Sequence, residues 1–200
     1  LNYNFFKSQN DSKQLLVMLH GFISDSTTYD SHIEQLSQHV NVLTIDLPGH
    51  GKDTSDMNDT WDFPYIAHAL DEVLSQYDMY DVYLLGYSMG GRVALYYALN
   101  GSVALRGLLL ESTSAGIQSE ADKVERVQVD AARAKVLEIA GLEIFVNDWE
   151  KLPLFRSQYE LDAEVRKAIR ANRMSQNPVR LAKALRDYGT GNMPNLWPHV

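Results

Sequence analysis

Hydrophobic positions follow two rhythms along this chain. Up to about residue 111, short continuous apolar runs alternate with longer segments of helical spacing. Leu15-Leu16-Val17-Met18-Leu19 is one such run, ending at His20-Gly21, and Val40 to Leu47 is the next, stopped by Pro48-Gly49. Asp81 to Tyr87 and Leu105 to Glu111 complete the set. Runs this short, closed by turn residues, predict strands buried on both faces. Phe5-Phe6 and its neighbours suggest a further short strand at the start. Between the runs, Thr27 to Leu36 predicts a helix. Asp62 to Tyr77 places Ile66, Leu70, Val73, Leu74 and Tyr77 on one helical stripe. Met89 to Leu99 predicts another helix, ended by Asn100-Gly101. Strands and helices in alternation imply a mostly parallel sheet with helices on both faces.

After Ser112 the rhythm changes. Residues 117–190 read as helices over 119–140, 142–150, 160–175 and 178–187, with Leu142 to Val146 as the one strand-like run. The expected organisation is an α/β core over 1–115, a helical cap over 116–190, and a return to the core over 191–200. No internal repeat and no low-complexity linker interrupts it.

Composition narrows the function classes. The chain has 200 residues, enough for one sizeable core. It has no cysteine, hence no disulfide framework and no thiolate metal site. No apolar run approaches the roughly 18 residues of a membrane span, and no secretory signal opens the chain. A cytoplasmic protein is expected, with no membrane insertion. The formal net charge of −8 argues against nucleic acid as partner. The charge is uneven: eight of the ten arginines (Arg126, Arg133, Arg156, Arg166, Arg170, Arg173, Arg180, Arg186) fall in the helical block. Solvated helix faces account for most of them, but arginine rather than lysine is the choice where carboxylates are gripped bidentately.

The stretch Gly86-Tyr87-Ser88-Met89-Gly90 is G-x-S-x-G at the seam of a predicted buried strand and a predicted helix. A turn that sharp needs glycine on either side and lifts the serine oxygen clear of the backbone over a helix N-terminus. Ser88 is therefore the candidate nucleophile or base, and the backbone N–H of Met89 the candidate oxyanion donor. Leu19-His20-Gly21-Phe22 follows an earlier strand, and the N–H of Phe22 is the candidate second donor. His20, Asp46 and His50 read as organisers of their loops.

"LHGF", "DLPGHG" and "GYSMGG" in this order resemble the α/β-hydrolase superfamily. Longer stretches are more specific: "GYSMGGRVAL", "ESTSAGI" with "VERVQVD", "NDWEKLPLF", and "ANRMSQNPVRLAKALRDYGTGNMPNLW". Together they resemble the 2-succinyl-6-hydroxy-2,4-cyclohexadiene-1-carboxylate synthase family of menaquinone (vitamin K2) biosynthesis. The resemblance implies an α/β-hydrolase fold with an inserted helical cap and a lyase that eliminates pyruvate from a 5-enolpyruvyl cyclohexene. A serine of a Ser-His-Asp triad would act as the base, with no metal or organic cofactor. It further implies that Arg92, Arg126 and Arg173 bind the carboxylates of a small anionic substrate, and that Tyr87 and Trp149 line the pocket. For each arginine the alternative is a structural ion pair or cap; for Trp149 it is core packing.

The triad's aspartate and histidine are expected beyond Val200, with the sheet's later strands. A carboxylesterase or C–C bond hydrolase of the same fold, and a non-catalytic protein of that fold, remain the alternative readings.

Overall fold

A computed structural model describes residues 1–200 as a five-stranded sheet with helices packed on it. The strands are β1 (Asn2–Phe6), β2 (Gln14–Leu19), β3 (Asn41–Asp46), β4 (Asp81–Tyr87) and β5 (Leu105–Glu111), in the order β1-β3-β2-β4-β5. β2 to β5 are parallel, with Val17 level with Leu43 on one side and Leu84 on the other. β1 departs from the parallel rule: it pairs antiparallel with β3, Asn4 opposite Thr44. A single short strand before the first crossover has no helix to set its direction.

Leu15, Val17 and Leu19 of β2 and Val82 and Leu84 of β4 bury themselves against α2 (Phe63–Leu74) and α3 (Met89–Asn100). The Asp62 carboxylate caps α2 by accepting from the N–H of Tyr65 at 2.8 Å, a contact worth about 1 kcal/mol. Every residue of β3 is buried, as a continuous apolar run predicts. β4 corrects that expectation. Its buried and half-buried residues alternate, because Leu85 and Tyr87 face the cavity described below rather than a packed helix. β5 is an edge strand with Leu109 47% exposed. The other side of the sheet carries Leu16 and Met18, with Leu36 of α1 (Asp30–Ser37) beside them.

The block after β5 is helical: α4 (Glu120–Ile139), α5 (Leu142–Trp149), α6 (Ala163–Met174) and α7 (Pro178–Tyr188). The strand-like run Leu142 to Val146 is the first part of α5, where Phe145 and Val146 are buried. They join Ala134 and Leu137 of α4 and Leu181, Ala182 and Leu185 of α7 in a second hydrophobic cluster, which also takes in Ile23. Helical burial of adjacent apolar residues produces the same short apolar run as a strand does, so periodicity alone does not separate them. Pro153–Glu160, which lies between the two expected helices but for Glu160, forms a 3₁₀ segment. The chain then returns: the N–H of Leu196 donates to the Ala115 carbonyl at 2.8 Å, and the Trp197 indole donates to the Gly116 carbonyl at 2.8 Å. No helix is long and apolar enough to cross a membrane.

Candidate active site

The strand–helix seam sets the geometry. Ser88 follows β4 and caps α3 with φ +52° and ψ −112°, a conformation that L residues rarely adopt and that costs about 1–3 kcal/mol. The strain is held from both sides. The Ser88 N–H donates to the Glu111 carbonyl at 2.9 Å, and the Thr113 hydroxyl donates to the Ser88 carbonyl at 2.8 Å. A Cβ on Gly86 would lie 2.3 Å from the Gly90 carbonyl oxygen, and one on Gly90 would lie 2.3 Å from that of Leu19. The glycines of the motif therefore let α3 start directly against the end of β2.

Met89 is the first residue of α3, so its N–H is one of the helix-end donors without an intrahelical acceptor. The N–H of Phe22 donates to no loop or turn carbonyl. The loop that carries it is fixed by His20, which is fully buried. The His20 Nδ1–H donates to the Gly21 carbonyl at 2.7 Å, and its Nε2 accepts from the N–H of Leu47 at 3.0 Å. Burial holds His20 below the usual imidazole range, so it is the neutral ring that this pattern needs. His50 is likewise buried and is pushed down to about 3, first by burial and then by neighbouring His20. Its Nδ1 is 3.1 Å from the Pro48 carbonyl. Asp46 accepts from the N–H groups of Ser26 (2.8 Å) and Lys52 (3.0 Å). All three organise loops; His20 has both ring nitrogens engaged, and His50, whose Nε2 is buried without a partner, does not line the cavity that holds Ser88.

Ser88, Met89, Phe22, Tyr87, Arg92, Arg126, Trp149 and Arg173 all line one cavity of about 1250 Å³. It opens between the strand ends and the helical block and runs down the sheet past Leu85 and Leu109. The three arginines differ in how they are held. Arg92 has no carboxylate partner, and its Nε is shielded from solvent with no acceptor. Burial, and then the charge of Arg126, lower its pKa to about 10. Arg126 is anchored through Nε to both oxygens of Asp130, at 3.1 and 3.2 Å. Arg173 is buried and held at both ends of its fork, by Glu150 Oε1 at 3.1 Å and Gln158 Oε1 at 3.0 Å. Its guanidinium carbon lies 4.9 Å from the centre of the Phe155 ring.

Trp149 stacks on Phe145 (5.5 Å between centroids) and meets Phe155 at 5.6 Å, yet its indole N–H is buried without an acceptor. Two orphaned buried donors, on Arg92 and Trp149, beside one cavity are what a site built to receive acceptor oxygens presents. Asp130, Arg133, Glu150 and Gln158 escaped the sequence reading. The spacing Arg126-x₃-Asp130-x₂-Arg133 was the available signal, because i,i+4 and i,i+3 place all three on one helix face.

Residues 16–198 match the alpha/beta hydrolase family. A 2-succinyl-6-hydroxy-2,4-cyclohexadiene-1-carboxylate synthase of Salmonella agona is 35% identical over 181 residues, covering 90% of this chain and 69% of that protein. The chain belongs to this synthase family. A synthase of the same name from Escherichia coli O139:H28 is 32% identical over the same length and coverage. The structure of MenH from S. aureus superimposes with a TM-score of 0.97 at 59% identity, over 98% of this chain and 74% of that one. The chain thus spans about 69% of the length of these curated family members.

Proposed function

We propose that this synthase-family chain works as a lyase: it eliminates pyruvate from 2-succinyl-5-enolpyruvyl-6-hydroxy-3-cyclohexene-1-carboxylate. The product is 2-succinyl-6-hydroxy-2,4-cyclohexadiene-1-carboxylate, in menaquinone biosynthesis in the cytoplasm. The observation that carries this reading is the pairing of a strained serine with an arginine-walled cavity. A pocket for neutral acyl chains would have apolar walls facing Ser88; this one offers Arg92, Arg126 and Arg173.

Ser88 Oγ takes the proton from the ring carbon beside the succinyl ketone. The electron pair flows first to the ketone oxygen, where the N–H groups of Phe22 and Met89 stabilise the enolate. Its return forms C2=C3, shifts the existing C3=C4 double bond to C4=C5 and breaks the C5–O bond to the enolpyruvyl group. The departing enolpyruvate takes up a proton at carbon and becomes pyruvate. The resemblance to the family implies a triad imidazole that draws the Ser88 proton.

Arg92 and Arg126 have free guanidinium N–H groups for substrate carboxylates, each such bond worth about 1.5–3 kcal/mol. Arg173 contributes by exchanging its Gln158 contact for a carboxylate. Trp149 donates its indole N–H, and Tyr87 closes the wall beside Ser88.

The test incubates full-length protein with the enolpyruvyl substrate, follows pyruvate by a coupled dehydrogenase assay, and weighs the intact protein for a serine adduct. Pyruvate release without an acyl adduct is the expected result. Turnover of simple esters through an acyl-Ser88, with no pyruvate, would overturn the reading in favour of an esterase.

A further inference from the structure

Asp130 is a carboxylate buried in the cavity wall that also carries Arg92, Arg126 and Arg133, its side chain 3% exposed. Both of its oxygens accept from Arg126 Nε, and Oδ1 also accepts from Arg133 Nη1 at 3.2 Å. One anion thus holds two guanidiniums of α4, one turn before it and one turn after it. Arg126 is gripped by Nε alone, which leaves both of its terminal nitrogens. Arg133 gives up one terminal nitrogen and keeps the other. Arg133 also lines the cavity, and its guanidinium carbon lies 5.4 Å from the centre of the Trp149 ring. Contact with the aromatic face limits how the charged plane can turn. The end of α7 closes over the far side of the carboxylate: a Cβ on Gly189 would lie 2.6 Å from Asp130 Oδ2.

The charge count decides what this cluster is for. A brace within one helix needs one cation per anion. Here Arg92, Arg126 and Arg133 share a single neighbouring carboxylate. Two positive charges stay uncompensated, at the wall that carries the unpaired Nε of Arg92. Two forks fixed side by side with free N–H groups match the oxygens of a carboxylate.

We propose that Arg133 is a further carboxylate-contacting residue of this site, and that Asp130 is the positioning residue that aims Arg126 and Arg133 together at one ligand carboxylate. The inference rests on the lyase reading only for the identity of the natural substrate.

The test uses full-length protein and tricarballylate (propane-1,2,3-tricarboxylate), which offers three carboxylates and nothing to eliminate. By calorimetric titration, Arg133→Gln is expected to weaken tricarballylate binding about tenfold, the effect of losing one charged hydrogen bond. In the pyruvate assay the same variant raises KM by a similar factor, with kcat within about threefold of wild type. Asp130→Asn weakens binding at least as much, because both forks lose their anchor. Thermal melting is recorded for every variant. If Asp130→Asn does not fold, Arg133→Gln decides alone, since Arg133 belongs to neither hydrophobic cluster. An Arg133→Gln protein with unchanged KM and unchanged probe affinity overturns the proposal, as does a wild-type protein that does not bind the probe. If the probe results hold but no pyruvate is released, the lyase reading fails and the two-arginine clamp stands.

Discussion

The ring of Phe22 meets the indole of Trp149 edge-on, with 5.3 Å between centroids. The residue whose N–H is the proposed oxyanion donor is therefore packed against α5 of the helical block. Edge-to-face pairs of this kind contribute about 0.5–1.5 kcal/mol beyond their buried area. Trp149→Ala is expected to loosen the loop after β2. Hydrogen exchange at the Phe22 amide should quicken, and kcat should fall about tenfold together with a rise in KM. Trp149→Phe keeps the aromatic packing and should restore the exchange protection while leaving KM raised, because the indole N–H is gone. Equal protection in wild type and Trp149→Ala would show that the loop stands without the cap.

Ser88 stores backbone strain, and a substitution can release it. Ser88→Ala and Ser88→Gly should both lower kcat by several orders of magnitude, because triad members act as a unit. Only the glycine relieves the φ of +52°. Relief of about 1–3 kcal/mol, set against a glycine entropy cost of about 0.5–1 kcal/mol, predicts Ser88→Gly to be about 1 kcal/mol more stable than Ser88→Ala in urea unfolding. Equal midpoints would mean that the seam is not strained.

Arg92 places function against stability. Its Nε has no acceptor and its charge is opposed by burial and by Arg126. An unpaired buried charge is destabilising, and an apolar residue of similar length removes the cost. Arg92→Met should hold or raise the melting temperature while raising KM for the anionic substrate about tenfold or more. A clear fall in melting temperature would assign Arg92 to the scaffold.

Asp25 ties the cap to the core. It accepts from Asn172 Nδ2 at 2.9 Å and from Gln176 Nε2 at 2.8 Å, while Gln176 Oε1 accepts from the N–H of Gly51 at 2.9 Å. Burial alone would raise the Asp25 pKa. The hydrogen bonds from Thr27, Asn172 and Gln176 outweigh it and hold the group below its ordinary value of 3.8. A depressed carboxyl stabilises the fold at every pH above its unfolded value and loses that contribution as pH falls through the folded value. Docking of α6 should therefore survive at neutral pH and weaken only below about pH 3.8, and Asp25→Asn should abolish that acid step. Limited proteolysis of the cap across the acid range measures it; an acid step unchanged in Asp25→Asn would place its origin in another carboxyl.

The elbow and the loop after β2 were legible because their geometry depends on residue type at fixed spacing. Gly90 has to be glycine where α3 meets the Leu19 carbonyl, and such constraints are written locally. The seven helices and four parallel strands followed from periodicity for the same reason. The direction of β1 and the half-open face of β4 depend on what packs across space, which a local pattern does not record. Arg133 and Asp130 illustrate the same limit within the site. Their helical spacing was visible, but an i,i+4 ion pair on a solvated face has the same spacing, and only the burial of Asp130 separates the two. Arg173 shows the reverse, since nothing local announces the grip of Glu150 and Gln158 on its fork.

The cationic wall sits inside a chain whose formal net charge is −8. A trianionic ligand is thus repelled by the body of the molecule at long range and attracted only near the cavity mouth. Mobile ions act unequally on the two: about 0.1 M salt screens beyond roughly 10 Å, while contacts shielded from solvent are screened far less. Added salt should therefore speed capture of the ligand up to moderate ionic strength and slow it only when the ions begin to compete for the guanidiniums themselves.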